Sequence, residues 1–238
     1  MRVDLPTPTS ALAIGAHPDD IEFGAGGTLA AWAQAGCRVV MAVMTDGSKG
    51  SWDPAEDPAA LVARRAAEQQ AAGEVLGAVG VEMLGYVDGE LEPSLEVRAR
   101  VASLIRSYRP DVVLSHDPWA RYEIHSDHRA AGWAVVDGVV AARDHLFFPE
   151  QDLDHHRPDW LLLWRAAEPD HWEDIETTLD SKLAGLLCHE SQHHTTMSSA
   201  GSGESERRAF GQLIRERAAA QGAAVGLAAA EAFKRIGL

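Results

Sequence analysis

The chain has 238 residues, long enough for one domain with a sizeable core, and its 46% hydrophobic and 24% charged residues are those of an ordinary globular protein. A formal net charge of −15 excludes the basic footprint that nucleic acid or an anionic membrane surface requires, so no nucleic acid is expected as a partner. Cys37 and Cys188 lack metal-ligand spacing, no apolar run reaches the ~20 residues of a membrane span, and MRVDLPTPTS has no signal core; a cytoplasmic protein without disulfides or membrane insertion is expected.

In chain order, ALAIGA (11–16) reads as a buried strand, and FGAGGTLAAWAQAG after it as a helix. RVVMAVMTDG (38–47) is a second strand closed by a turn, and 48–58, with Gly50, Pro54 and Pro58, a loop. A long helix (60–77), a short strand (VEMLGYVDG) and the helix SLEVRARVASLIRSY follow. DVVLSHDP (111–118) is the clearest strand, bounded by Pro110 and Pro118. HRAAGWAVVDGVVAARD reads as a helix, DWLLLWRA (159–166) as a strand, and DIETTLDSKLAGLLCHESQ as a helix. TTMSSAGSGESE (195–206) reads as a mobile loop, before a final Ala-rich helix running to about Phe233. Such alternation predicts an α/β fold, Rossmann-like, with a mostly parallel sheet and helices on both faces; residues 1–238 form one domain.

In such a sheet, ligands bind beyond the carboxyl ends of the strands. Three polar stretches sit there: HPDD (17–20), TDGSKG (45–50), and SHDPWARYEIHSDH (115–128) with His116, His125 and His128. One histidine and one carboxylate from the first, plus a histidine from the last, make three N/O ligands, the number a catalytic zinc needs. Either Asp19 or Asp20 is then left to take a proton from water. Taken alone, HPDD is more simply a turn with an Asx cap, and HSDH a polar helix start with Ser126 as N-cap. Their shared placement favours the metal site. His145, His155, His156, His193 and His194 lie in polar stretches and are expected to be solvated. GAGGTL is no nucleotide fingerprint, because Leu29 stands where the third glycine belongs.

AHPDDIEFGAGGTLA and HSDHRAAG together resemble the PIG-L/LmbE-like family of zinc-dependent N-acetylglucosaminyl deacetylases. The resemblance continues through TDG (45–47), RAAEQQAAGEVLG (65–77), LGYVDG (84–89), RPDVVLSHDP, KLAGLLCHESQ (182–192) and AEAFKRI (230–236). It implies zinc on His17, Asp20 and His128, with Asp19 as general base. It also implies that protonated His125 stabilises the oxyanion, that Asp127 orients or charges His125, and that Arg65 contacts substrate, with Arg64 as the alternative. The chain departs from the family at Ser126, where many members have proline, and at Glu123, where some carry a tyrosine. The loops at 48–58 and 145–158 are expected to line the pocket. The implied activity is removal of the N-acetyl group from a small molecule or glycoconjugate containing N-acetylglucosamine; the partner is that N-acetyl amino sugar, with room for a homo-oligomer. Two other readings use the same residues: an amidase acting on a larger thiol–sugar conjugate, and a non-enzymatic metal-binding partner protein.

Overall fold

The computed structural model describes residues 2–197 and 203–238. Its strands are β1 (Arg2–Val3), β2 (Ser10–Gly15), β3 (Arg38–Thr45), β4 (Gly80–Tyr86), β5 (Val112–His116), β6 (Trp160–Trp164), β7 (His171–Asp174) and β8 (Ala230–Gly237). The α-helices are α1 (Asp20–Gln34), α2 (Pro58–Leu76), α3 (Leu95–Tyr108), α4 (Ser126–Arg143), α5 (Leu179–Leu187) and α6 (Glu204–Ala223). The strands form one sheet in the order β1-β7-β8-β6-β5-β2-β3-β4. β8 runs antiparallel to both β6 and β7, and the remaining pairings are parallel. The expected Rossmann-like α/β fold is the observed one.

β2 shows why. Every residue of SALAIG is buried, as a central parallel strand covered on both faces requires. Successive side chains point to opposite faces. Leu12 and Ile14 therefore enter the core with Val101 and Ile105 of α3 and Val135 of α4. Ala11 and Ala13 enter the other core, with Ile21, Ala25 and Leu29 of α1. Local signals set the helix ends: Ser94 accepts from Val97 N to start α3, and α2 begins Asp57-Pro58 and ends at Gly77 with φ +79°. Gly138 lets α4 lie close to α3, since a Cβ there would stand 2.4 Å from Val101 Cγ1. Gly138→Ala should therefore cost about 1–3 kcal/mol, the usual penalty of overpacking, read as a lower Tm and denaturation midpoint.

Two expectations need correcting. The last helix ends at Ala223, and Ala230–Gly237 is a strand instead of helix to Phe233. Ala-rich sequence favours helix, but Gly226 at φ +81° follows the helix end, and Phe233 pairs with Trp164 on one side and His171 on the other, where it is fully buried. Sheet packing outweighs propensity here. The helix expected from 174 opens instead with the end of β7 and a 3₁₀ turn (Glu176–Thr178) before α5. Of the expected mobile loop at 195–206, residues 198–202 lie outside the described residues; Thr195–Met197 form a turn and 204–206 begin α6. A buried cluster ties these late elements to α1: Glu231 Oε1 accepts from Lys182 Nζ (2.5 Å) and Gly27 N (3.0 Å), and Oε2 from Thr28 N and Oγ1 (2.8 and 2.6 Å).

Sheet topology places the site. From β2 the chain moves outward through β3 and β4, then α3 carries it back to β5 on the other side of β2. The order reverses at β2, and the loops leaving β2 and β5 open a crevice at their carboxyl ends. HPDD follows β2, and the His125–His128 segment follows β5.

Candidate active site and metal centre

The turn between β2 and α1 holds Asp19 at φ +96°, a left-handed conformation unusual for a residue other than glycine. Asp19 is the N-cap of α1, yet its side chain makes no capping hydrogen bond. This removes the simple reading of HPDD as an Asx-capped turn. The Asp19 carboxylate is buried, and its Oδ2 has no hydrogen-bond partner among the described residues. Gln69 of α2 holds the strained backbone, accepting from Asp19 N at 3.1 Å, and its amide donates to Glu22 Oε1 at 2.6 Å. Burial pushes the Asp19 carboxyl up to about 7, against the opposing pull of Arg65.

Arg65 reaches the site, but its fork meets the protein's own loops. Nη1 donates to Gly47 O (3.0 Å), Nη2 donates to Pro18 O (2.8 Å), and Nη2 lies 3.7 Å from Asp19 Oδ2. Arg64 points away and pairs with Glu56 at 2.6 Å, largely in solvent. Arg65 thus clamps the turn that carries Asp19 to the loop after β3. Lysine keeps the charge but not the planar fork. Arg65→Lys should lower kcat by about tenfold, the scale of one lost charge-assisted hydrogen bond, with a smaller change in KM. Steady-state rates for the variant check this; a rise in KM alone would instead indicate direct substrate binding.

His17, Asp20 and His128 come together. Asp20 Oδ2 lies 3.3 Å from His17 Nδ1, and Oδ1 lies 3.2 Å from His128 Nε2. Donors 2.0–2.1 Å from a tetrahedral zinc stand about 3.3 Å from one another, and each of these two Asp20–histidine separations matches that spacing. Among the described residues, three groups have donor atoms that all lie within 4.8 Å of one another: His17, His125 and His128; Asp20, His116 and His128; and His17, Asp88 and Asp127. The expected trio is spread over the first two, which share His128. Burial would raise the Asp20 carboxyl, but His116 and His128 hold it well below the usual carboxylate range. Burial would likewise lower His17, yet Asp127, Asp20 and Asp88 outweigh it and push its pKa up to about 12. These carboxylates favour positive charge at the cluster. The mixed imidazole and carboxylate donors fit a divalent transition metal.

His125 and Asp127 are present but not paired as expected. His125 is the N-cap of α4, and its Nδ1 accepts from Asp127 N at 3.3 Å, leaving the ring proton on Nε2. Burial, with His17 and His128 nearby, lowers its pKa. With Nδ1 engaged at the helix start, the Nε2 edge of His125 is the one left to face a ligand. The Asp127 carboxylate turns to His17 instead: Oδ2 is 3.2 Å from His17 Nε2 and accepts from Gly89 N at 2.7 Å. The N-cap is His125, in place of Ser126.

Several site residues had no role in the sequence reading. Trp164 Nε1 donates to His116 Nδ1 at 3.2 Å and Ala16 N donates to His116 Nε2 at 3.2 Å, contacts that set the ring with Nε2 facing Asp20 Oδ2, also 3.2 Å away. A histidine at the end of β5 stood out by position, yet only its neighbours across the sheet define this orienting role. Asp88 Oδ1 is 3.2 Å from His17 Nε2; it lies in VDG (87–89) just after β4 and was legible by the same strand-end rule. Asp46 Oδ1 accepts from Ser48 N and Asp88 N, so TDG locks two loops together. Gln69, one of two glutamines in a helix, carried no signal. His193, expected in solvent, is buried.

The donors line a cavity of about 500 Å³. Lys49, Gly50 and Trp52 bring the 48–58 loop to its rim, as expected. The 145–158 loop does not reach it: Arg106 of α3 holds Phe147 and Phe148 carbonyls and Gln151 elsewhere. Gln192, Thr195, Thr196 and Arg165 complete the wall. No helix among the described residues is long and apolar enough to cross a membrane.

A histidine–carboxylate cluster at the switch point of a mostly parallel sheet marks a metal-dependent enzyme on a Rossmann-like fold. The model of the family described as PIG-L, GlcNAc-PI de-N-acetylase, matches residues 12–139, over half of the chain. The chain is 35% identical to the diacetylchitobiose deacetylase of Thermococcus kodakarensis over 184 residues, 76% of this chain and 69% of that protein. It is 30% identical to the 4-oxalmesaconate hydratase of Pseudomonas putida over 203 residues, 78% of this chain and 74% of that one. The structure of the N,N'-diacetylchitobiose deacetylase from Pyrococcus horikoshii superposes with a TM-score of 0.87 at 28% identity, covering 97% of this chain and 84% of that chain. The chain belongs to the PIG-L family.

Proposed function

We propose that the protein is a zinc-dependent N-deacetylase that releases acetate from a small molecule or glycoconjugate containing N-acetylglucosamine. One observation carries the reading furthest: a buried carboxylate with a free oxygen, Asp19, held next to the donor set His17, Asp20 and His128. Those three would hold the ion. When bound, zinc supplies a Lewis acid for the amide carbonyl and lowers the pKa of water.

The chain's own residues do the rest. Asp19 accepts the proton of the attacking water and passes it to the leaving amine as the C–N bond breaks. His125 donates from Nε2 to the oxygen that gains charge in the tetrahedral state. Asp127 and Asp88 hold His17, and His116 holds Asp20, so that neither ligand rotates out of the cluster. The Arg65 and Gln69 contacts fix the turn on which Asp19 rides.

The relatives divide the possibilities. The deacetylase likeness favours amide hydrolysis, and the hydratase likeness makes water addition the competing reading. Purified protein loaded with zinc should release acetate from N,N'-diacetylchitobiose or an N-acetylglucosamine glycoside. Hydration of 4-oxalmesaconate with no acetate release from either sugar would overturn deacetylation; no turnover of any of them, with zinc bound, would favour the non-enzymatic reading.

A further inference from the structure

A second cavity of about 490 Å³ adjoins the catalytic one and shares Phe23, Arg165 and Thr196 with it. Its outer wall is α6, which contributes Phe210, Leu213 and Arg217. Phe23 and Phe210 meet edge to face, with ring centroids 6.3 Å apart, and give one side of the cavity an aromatic surface.

The charge of this cavity is the reverse of the chain's. Arg165, Lys182 and Arg217 line it against one carboxylate, Glu231, which Lys182 already neutralises. A chain of net charge −15 therefore keeps a cationic chamber beside its carboxylate-rich site. Arg217 is exposed and engages no carboxylate among the described residues, and SSAGS at 198–202 contains no acid. Arg165 stands where the two cavities join, at the carboxyl end of β6 with φ +58°, a backbone conformation that surrounding structure must hold. Glu123 Oε2, 3.3 Å from one Arg165 nitrogen, steadies it and leaves its other donors free for a ligand.

We propose that this cavity is a second subsite, and that it takes the part of the substrate remote from the acetamide: an apolar group, such as an aromatic ring, bearing a carboxylate or phosphate. Arg165 and Arg217 bind the anion, since a guanidinium fork matches such oxygens two at a time. Phe23, Phe210 and Leu213 cover the apolar part. The proposal rests on the deacetylase reading, because that reading places the amide in the catalytic cavity.

The test compares two glycosides, phenyl and 4-carboxyphenyl N-acetyl-β-glucosaminide, by calorimetric binding, which needs no turnover. The wild-type protein should bind the carboxylated one about tenfold more tightly, the scale of one charge-assisted contact. Arg217→Ala should lower that preference at an unchanged Tm, since the residue is exposed, and replacing Arg165 by alanine as well should bring it close to one. Equal wild-type affinities, no binding of either glycoside, or a preference undiminished by Arg217→Ala would overturn the subsite. Acetate release from the phenyl glycoside is measured separately. Preference without acetate release from this glycoside or from N,N'-diacetylchitobiose upholds the subsite and removes the deacetylase reading; acetate release without preference does the reverse.

Discussion

Asp19→Asn should lower acetate release by about 10²- to 10⁴-fold while zinc stays bound, the range that general acid–base catalysis contributes. Asparagine preserves shape and polarity but cannot take a proton. The turn should survive the change, because the Asp19 backbone N–H is held by Gln69 and its side chain caps nothing. Asp20→Asn gives the contrast: the Asp20 carboxylate lies 3.3 Å from His17 and 3.2 Å from His128, and a neutral amide there is a poor ligand. Zinc per chain and acetate release, measured side by side, decide the matter. Metal lost from Asp19→Asn and kept in Asp20→Asn would reverse the two roles. Full activity in Asp19→Asn would remove the mechanism.

His128→Ala should abolish stable zinc binding and, with it, activity. The loss should exceed that in His116→Ala, because His128 is a proposed ligand while His116 only orients Asp20. Loss of an outer partner typically costs about 10- to 100-fold in metal affinity, so His116→Ala should fall in that range and recover activity at high zinc. His128→Ala should not recover. Titration of the metal-free proteins with zinc against a competing chelator gives both affinities without recourse to turnover. A His116→Ala protein as metal-free as His128→Ala would make His116 a ligand in its own right, on the second donor group that includes Asp20 and His128.

The strands and helices of the first two thirds of the chain were legible because their signals are local. The apolar runs of β2, β3 and β5 are strands buried on both faces, and a buried parallel strand is apolar nearly throughout, while β4 at the sheet edge is only half-buried. The last third misled for a tertiary reason. AEAFKRI follows an Ala-rich helix and looks like its continuation, but Phe233 is buried in the sheet, a fact that depends on residues about 60 to 70 positions away.

The site divides along the same line. HPDD and HSDH announce themselves, since no core needs adjacent acids and histidines at the ends of apolar strands. The linear order thus determined which residues are available to bind metal and move protons, and that both motifs follow apolar strands; that β2 and β5 are neighbours was decided by the sheet. Partnership was decided only by the fold. Whether an aspartate caps a helix, binds an ion or keeps a free oxygen depends on which donors stand within about 3 Å, the reach of a hydrogen bond. For Asp19 those neighbours come from α2, through Gln69 and Arg65, and for Asp127 the carboxylate's neighbours are His17 and Gly89 in place of His125. Arg65 and Arg64 are adjacent in sequence, yet one is buried under the site and the other pairs in solvent, because a helix turns 100° per residue and only one face can meet the sheet edge.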